Sequence, residues 1–279
     1  MKTYELQMPP LKFETLHTSK GNQLKWKQDG YWYKVNQFGY EGAVETIVST
    51  FLKSVEVPFP FVSYEQVKVI YEEKEYTGCR SRDFYEENPI LQGYIMIPLE
   101  RLHRLYTGCG LANHLAQFNK VKDRVAYTVD FVQNVTGLMH FADYLSFLIQ
   151  MDAFFLNEDR HTNNIAVLWN QDTDTYEYCP YFDFGLSLFA DVKEDFPMDM
   201  DFVTCRKKIK AKPFSINFDE QLDACEKIGS SELKFLFRYR QMRKEAETVL
   251  KDIECEESFK HRVIETLSYQ ANKYQYMFL

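Results

Sequence analysis

Two carboxylates and an amide carry the chemistry most legible in this chain. Asp159 stands five residues ahead of Asn164 in the run Asn157-Glu-Asp-Arg-His-Thr-Asn-Asn164, and Asp183 opens an Asp-Phe-Gly triplet further on. Phosphoryl transfer needs a base or orienting group for the attacking hydroxyl. It also needs two oxygen ligands that hold Mg²⁺ against nucleotide phosphates. Asp159 can supply the first, and Asn164 with Asp183 the metal pair. The plain alternative is a polar loop, a helix cap and a turn, but two spaced motifs joined by a hairpin rarely coincide by chance.

A cation for the phosphates is expected elsewhere in the chain. Lys34 lies between Tyr33 and Val35 in a strand-like run, where an inward amine would be costly without an anion. Glu41 and Glu45 follow, four residues apart and so on one helical face, and either could orient Lys34 by an ion pair. The segment Thr18-Ser-Lys-Gly-Asn-Gln-Leu-Lys25 is small, polar and glycine-bearing. Backbone amides in such a loop can cradle phosphate oxygens, and Lys25 can add charge.

These residues need elements to hold them. Asp29-Gly30 between aromatic and β-branched runs predicts a hairpin. Apolar residues at helical spacing from Ala43 to Leu52 predict a helix within 40–53, and strands are expected at 66–71 and 76–81. Beyond about residue 84 the pattern turns helical, with helices expected at 99–119, 122–136 and 140–156. The last is apolar nearly all round, hence buried, and runs straight into the Asp159 motif. Strands at 165–169 and 176–182 form a hairpin carrying Asn164 at one end and Asp183 at the other. Two or three helices follow from about Phe218. The expected architecture is α+β and two-lobed, with a small antiparallel sheet and one helix in 1–83 and a mostly helical lobe in 84–279.

Composition bounds the rest. The chain has 279 residues, of which 45% are apolar and 16% aromatic, so a sizeable core is expected and disorder is not. A net charge of −8 argues against a nucleic-acid-binding surface. The six cysteines are far apart with no Cys-x-x-Cys pair, which suits reduced thiols in a cytoplasmic protein rather than a zinc site or disulfide scaffold. Residues 1–16 lack the apolar core of a secretory signal, and the longest apolar stretch, 141–156, is too short to span a bilayer.

The loop Gly21-Asn-Gln-Leu-Lys25, the strand Tyr33-Lys34-Val35, the run Asp159-Arg-His-x-x-Asn164 and Asp183-Phe-Gly185 together resemble the HipA-like bacterial serine/threonine kinases of the kinase superfamily. The resemblance runs from about Thr18 to Leu188. It implies ATP, Mg²⁺ and a protein serine or threonine as acceptor. It further implies ATP binding by Thr18, Ser19, Gly21, Asn22, Gln23, Lys25, Lys34 and Glu41, catalytic roles for Asp159, Arg160 and His161, and metal binding by Asn164 and Asp183. Glu41 is preferred over Glu45 as the partner of Lys34, because HipA-like kinases tend to carry the acid at the very start of this helix. Arg160 is expected to fix the loop by pairing with a carboxylate or carbonyl. His161 is expected to hydrogen-bond the loop or a phosphate rather than ligate Mg²⁺, which prefers oxygen. The family also phosphorylates a hydroxyl in the nucleotide loop, which points to Thr18 or Ser19.

Departures shape the expectation. Arg160-His161 follow the aspartate, whereas eukaryotic protein kinases place His-Arg before it, and no Ala-Pro-Glu segment follows Gly185. The Asp-Arg-His-x-x-Asn order is shared with phosphoinositide kinases, so a lipid or small-molecule kinase is the alternative, and a nucleotide-binding pseudokinase a second one. Full HipA proteins carry an additional N-terminal region. A compact member is therefore expected, with that region supplied by a separate regulatory or antitoxin-like partner.

Overall fold

The computed structural model describes residues 1–11 and 23–279 of the chain. Short strands with alternating burial build the first sheet: β1 (Lys2–Glu5), β2 (Lys25–Gln28), β3 (Tyr31–Val35), β4 (Tyr64–Tyr71) and β5 (Lys74–Arg82), in the order β1-β4-β5-β3-β2. Asp29 and Gly30 both take positive φ, 51° and 75°, the backbone of a two-residue turn that matches strand twist. The turn between β4 and β5 is of the same kind, with Glu72 and Glu73 at φ 47° and 61°. The sheet is mixed rather than purely antiparallel, because β1 joins β4 in parallel register. Its sequence, Lys-Thr-Tyr-Glu, has no apolar alternation to announce a strand.

Helix α1 (Glu41–Leu52) is buried on almost every side. It lies against the sheet where Gly42 meets Gly78 of β5; a Cβ on Gly42 would fall 2.4 Å from the Gly78 backbone. Only glycine permits that approach. Its apolar residues, Ala43 to Leu52, belong to the large core that runs through the helical part of the molecule. The outer sheet has its own small cluster around Trp26, Tyr33, Val67 and Val69.

The chain then crosses α2 (Phe84–Glu87) to β6 (Tyr94–Pro98), α3 (Leu99–Thr107), α4 (Leu111–Leu115), α5 (Val121–Thr136) and α6 (Phe141–Phe155). The single helix expected over 99–119 is two, broken at Gly108, whose φ of 79° ends α3 in the left-handed region. α6 is buried over nearly its whole length, as its all-round apolar pattern predicted. Strands β7 (Ala166–Asn170) and β8 (Thr175–Tyr178) form the expected hairpin, and β6, which the sequence reading left out, pairs with β7 to give a three-stranded sheet. Helices α7 (Phe202–Lys208), α8 (Phe218–Glu226), α9 (Met242–Leu250) and α10 (Glu257–Lys273) complete the chain. Among the described residues no helix is long and apolar enough to cross a membrane.

Candidate active site

Three elements meet at Lys34. The Gly42–Gly78 contact sets α1 low on the sheet and carries Glu45 to the inward side chain of β3. The Lys34 Nζ donates to Glu45 Oε1 at 3.0 Å, to Asp183 Oδ1 at 2.9 Å and to the Tyr64 hydroxyl at 3.4 Å. Glu45 uses its other oxygen to accept from the Phe184 backbone N–H at 3.0 Å, so one carboxylate ties the lysine to the Asp-Phe-Gly segment. Gly185 allows that closeness, since a Cβ there would lie 3.3 Å from Glu41 Cβ.

Burial works against the Lys34 ammonium, but the Asp183 and Glu45 carboxylates more than offset it and hold its pKa well above the ordinary lysine value. Burial opposes charge on Asp183 as well, yet Lys34 and Lys25 beside it hold its carboxyl well below the usual range. Glu45 is shifted upward, because burial and the Asp183 charge outweigh the pull of Lys34. Lys25, opposite Lys34 in the β2–β3 register, feels the same field, and burial lowers its pKa despite the attraction of Asp183.

The loop that carries Asp159 is held from beneath. Leu156 ends α6 at φ 55°, an uncommon conformation for leucine, and turns the chain into Asn157. Arg160, fully buried, forks onto Asp152 of α6 with N···O distances of 2.9 and 3.1 Å. Its remaining nitrogen donates to the carbonyls of Asn164 at 2.8 Å and Phe182 at 2.9 Å, the residues that bracket the β7–β8 hairpin. Asn157 donates to Asp152 at 2.8 Å and accepts from the Asp159 N–H at 3.1 Å. One buried arginine thereby fixes the spacing of Asp159, Asn164 and Asp183.

Each of those three is half-buried rather than enclosed. Asn164 Nδ2 donates to the Asp159 carbonyl at 3.1 Å, so its amide oxygen is the side-chain atom that this bond leaves over. Asp183 is in the left-handed region, φ 64°, which aspartate tolerates better than most residues, and its side chain keeps 26% exposure. Asp159 Oδ1 accepts from Lys212 Nζ at 3.0 Å, and its Oδ2 lies 3.7 Å from His161 Nε2. Burial lowers the His161 pKa, Asp159 and Asp183 opposing the shift while Lys212 and Arg160 reinforce it.

Of the residues expected at the site, Lys25, Lys34, Asp159, Arg160, His161, Asn164 and Asp183 converge. Gln23 is close by, its amide donating to the Val35 carbonyl at 2.9 Å. Thr18, Ser19, Gly21 and Asn22 lie outside the described residues. The preference for Glu41 as the partner of Lys34 is corrected, since the pair is with Glu45. Glu41 instead accepts the backbone N–H groups of Gln37, Phe38 and Gly39 at 2.6–2.7 Å, closing the turn that precedes α1. A first-turn glutamate is drawn to free N–H groups, whereas Glu45, one turn further, reaches the sheet. The sequence reading missed Asp152, Asn157, Tyr64 and Lys212. Only Asp152 carried a signal, as a carboxylate inside an otherwise apolar helix that must find a partner.

A scan of known protein families and a search of curated proteins each find no match for this chain. Among solved structures, the crystal structure of a Helicobacter pylori proinflammatory kinase, CtkA, is similar over 95% of this chain and 92% of its own, with a TM-score of 0.58 and 15% identity. The chain therefore has a kinase fold, in which a small sheet with one helix stands against a larger helical part. The HipA toxin of Shewanella oneidensis MR-1, solved with HipB and operator DNA, matches 96% of this chain and 66% of its own at a TM-score of 0.42 and 11% identity.

Proposed function

We propose that the protein is an ATP- and Mg²⁺-dependent kinase of HipA-like type that transfers the γ-phosphoryl group to a serine or threonine hydroxyl of a protein. The observation that carries this reading is the convergence of Lys34, Asp183, Asn164 and Asp159 from three separate stretches of chain on one site, with every side chain of the set present. The two lobes divide near residue 83, with the cleft between them. A second protein, regulatory or antitoxin-like, fits the same reading, and so does a cytoplasmic setting.

The donor set fits a magnesium nucleotide. Asn164 and Asp183 offer the hard oxygen ligands that Mg²⁺ takes, and Asp183 stays ionised because the lysines hold its pKa down. Lys34 and Lys25 bring positive charge to a half-buried site, where it favours phosphate oxygens. Bound Mg²⁺ would neutralise charge developing on the transferred group. Asp159 orients the acceptor hydroxyl and receives its proton through Oδ2, the oxygen that Lys212 leaves open. Arg160 touches no substrate in this account; it positions the loop.

Two substitutions test the assignment. Asp159→Asn should spare ATP binding and lower transfer by about 10²–10⁴-fold, as loss of a general base does. Asp183→Asn should abolish Mg²⁺-dependent nucleotide binding while the protein stays folded. Binding is read by calorimetry and transfer by labelled ATP in a whole-cell lysate, with label followed into protein and lipid separately. Parent-rate transfer by the Asp159 variant removes its assigned role, and label in lipid alone moves the acceptor to the lipid alternative.

A further inference from the structure

The last turn of α7 and the residues that follow it form the most basic stretch of an acidic chain. Arg206, Lys207, Lys208, Lys210 and Lys212 make five of the seven residues 206–212, against a net charge of −8 for the whole protein. Arg206 and Lys208 are engaged by their surroundings: the Arg206 guanidinium lies 3.6 Å from the Tyr269 ring centroid, and Lys208 pairs with Asp195 at 3.0 Å. Lys207 and Lys210 are exposed and have no ion-pair partner among the described residues. Lys212 touches Asp159 itself. Asp201, the acid nearest in sequence, caps α7 through Thr204.

We propose that this strip is the acceptor platform, and that it selects serine or threonine hydroxyls flanked by acidic side chains in a polypeptide; the inference rests on the kinase reading above. Backbone periodicity supplies the register. Ile209 is extended, Ala211 is buried, and Lys210 and Lys212 stand on either side of it, in the alternation of an extended strand. An extended peptide with its hydroxyl at Asp159 advances at the same ~3.3 Å per residue. Its side chain two residues from the hydroxyl therefore falls level with Lys210, and Lys207, in the last turn of α7, adds charge beyond it. Carboxylates at those places complete ion pairs that the protein leaves open, while lysines there meet like charge.

A peptide fits these observations better than an anionic membrane does. A peptide follows the strip alone, whereas a flat surface also meets the exposed Glu194 and Asp199 that precede α7 and the negative field of the whole molecule.

The experiment presents ATP, Mg²⁺ and a degenerate serine peptide mixture in three forms, with Glu, Gln or Lys fixed two positions to either side of the hydroxyl. The parent should favour Glu over Gln in kcat/KM by about tenfold at low salt, the worth of two or three exposed ion pairs, with the preference shrinking toward unity near 0.5 M salt. The Lys207→Glu/Lys210→Glu double variant should lose or invert the Glu preference. Asp159-dependent transfer without a Glu preference overturns the platform and leaves the kinase reading standing. Asp159-dependent ATP consumption with no peptide labelled, or with label only in phosphatidylinositol–phosphatidylserine vesicles, overturns the peptide assignment. No Asp159-dependent ATP use at all overturns both readings together.

Discussion

Two ion-pair centres, one beneath the Asp159 loop and one joining β3 and α1 to the Asp-Phe-Gly segment, are built to opposite specifications. Asp152 and Arg160 are entirely buried, pair through two nitrogens, and have their remaining hydrogen-bonding capacity taken by Asn157 and two carbonyls. Lys34, Glu45 and Asp183 form a looser arrangement, in which Lys34 keeps 13% exposure and Asp183 26%. In the first centre no atom is left to exchange, which suits a scaffold. In the second, Lys34 divides its contacts among Asp183, Glu45 and Tyr64, and under the proposed function a magnesium nucleotide would compete for Asp183 and Lys34. A site can thus be rigid where it sets distances and labile where it binds.

Breaking the buried pair should have the largest effect. Arg160→Met leaves the Asp152 carboxylate uncompensated in the core, at a cost of about 3–5 kcal/mol. Denaturant unfolding should show that loss, and the reciprocal Asp152→Leu variant should show one of similar size. Combining the two should recover most of the stability, because no lone charge remains buried. Activity should not return with it, since the carbonyls of Asn164 and Phe182 would still lack their clamp. If activity returned as well, Arg160 would not be the spacer of the site.

The labile centre separates two neighbouring glutamates. Glu45→Gln removes the charge that holds Lys34 and should cut transfer by about ten- to a hundredfold, roughly 1.4–2.8 kcal/mol, with a small change in melting temperature. Glu41→Gln leaves the Lys34 pair intact but weakens the acceptor for three backbone N–H groups, so its effect should fall on stability, about 1–3 kcal/mol. Parallel calorimetric melts and transfer assays distinguish the two. A larger transfer loss at Glu41 would return the pairing role to the start of the helix.

That reversal shows where sequence reasoning stops. The β2–β3 and β4–β5 hairpins, the buried α6 and the β7–β8 hairpin were legible because turn residues and apolar period are local signals. Lys34, Asp159, Asn164 and Asp183 stood out by type and spacing, and the fold brings them together. Glu41 and Glu45 share a helical face, and only the approach of Gly42 to Gly78 decides which one meets Lys34. Lys212 comes from fifty-three residues beyond Asp159, and nothing near either residue announces the other. β1 and β6 were missed for a related reason, each being defined by a partner strand distant in sequence.

The smallest effect concerns His161 and sharpens the line between the two centres. It faces Asp159, Asp183, Lys212 and Arg160, and burial holds its folded-state pKa below the ordinary 6.5. The unfolded chain therefore takes up a proton that the folded protein resists. The contribution is present above about pH 6.5 and is lost as the pH falls through the folded pKa. His161→Gln should flatten that part of the stability profile between about pH 7 and 5 while leaving the more acidic part, where carboxylates such as Asp183 titrate, unchanged. Urea melts at half-unit steps of pH provide the measurement. A parent profile that rises in stability as the pH drops through this window would mean that Asp159 outweighs burial and that the His161 pKa is raised rather than lowered.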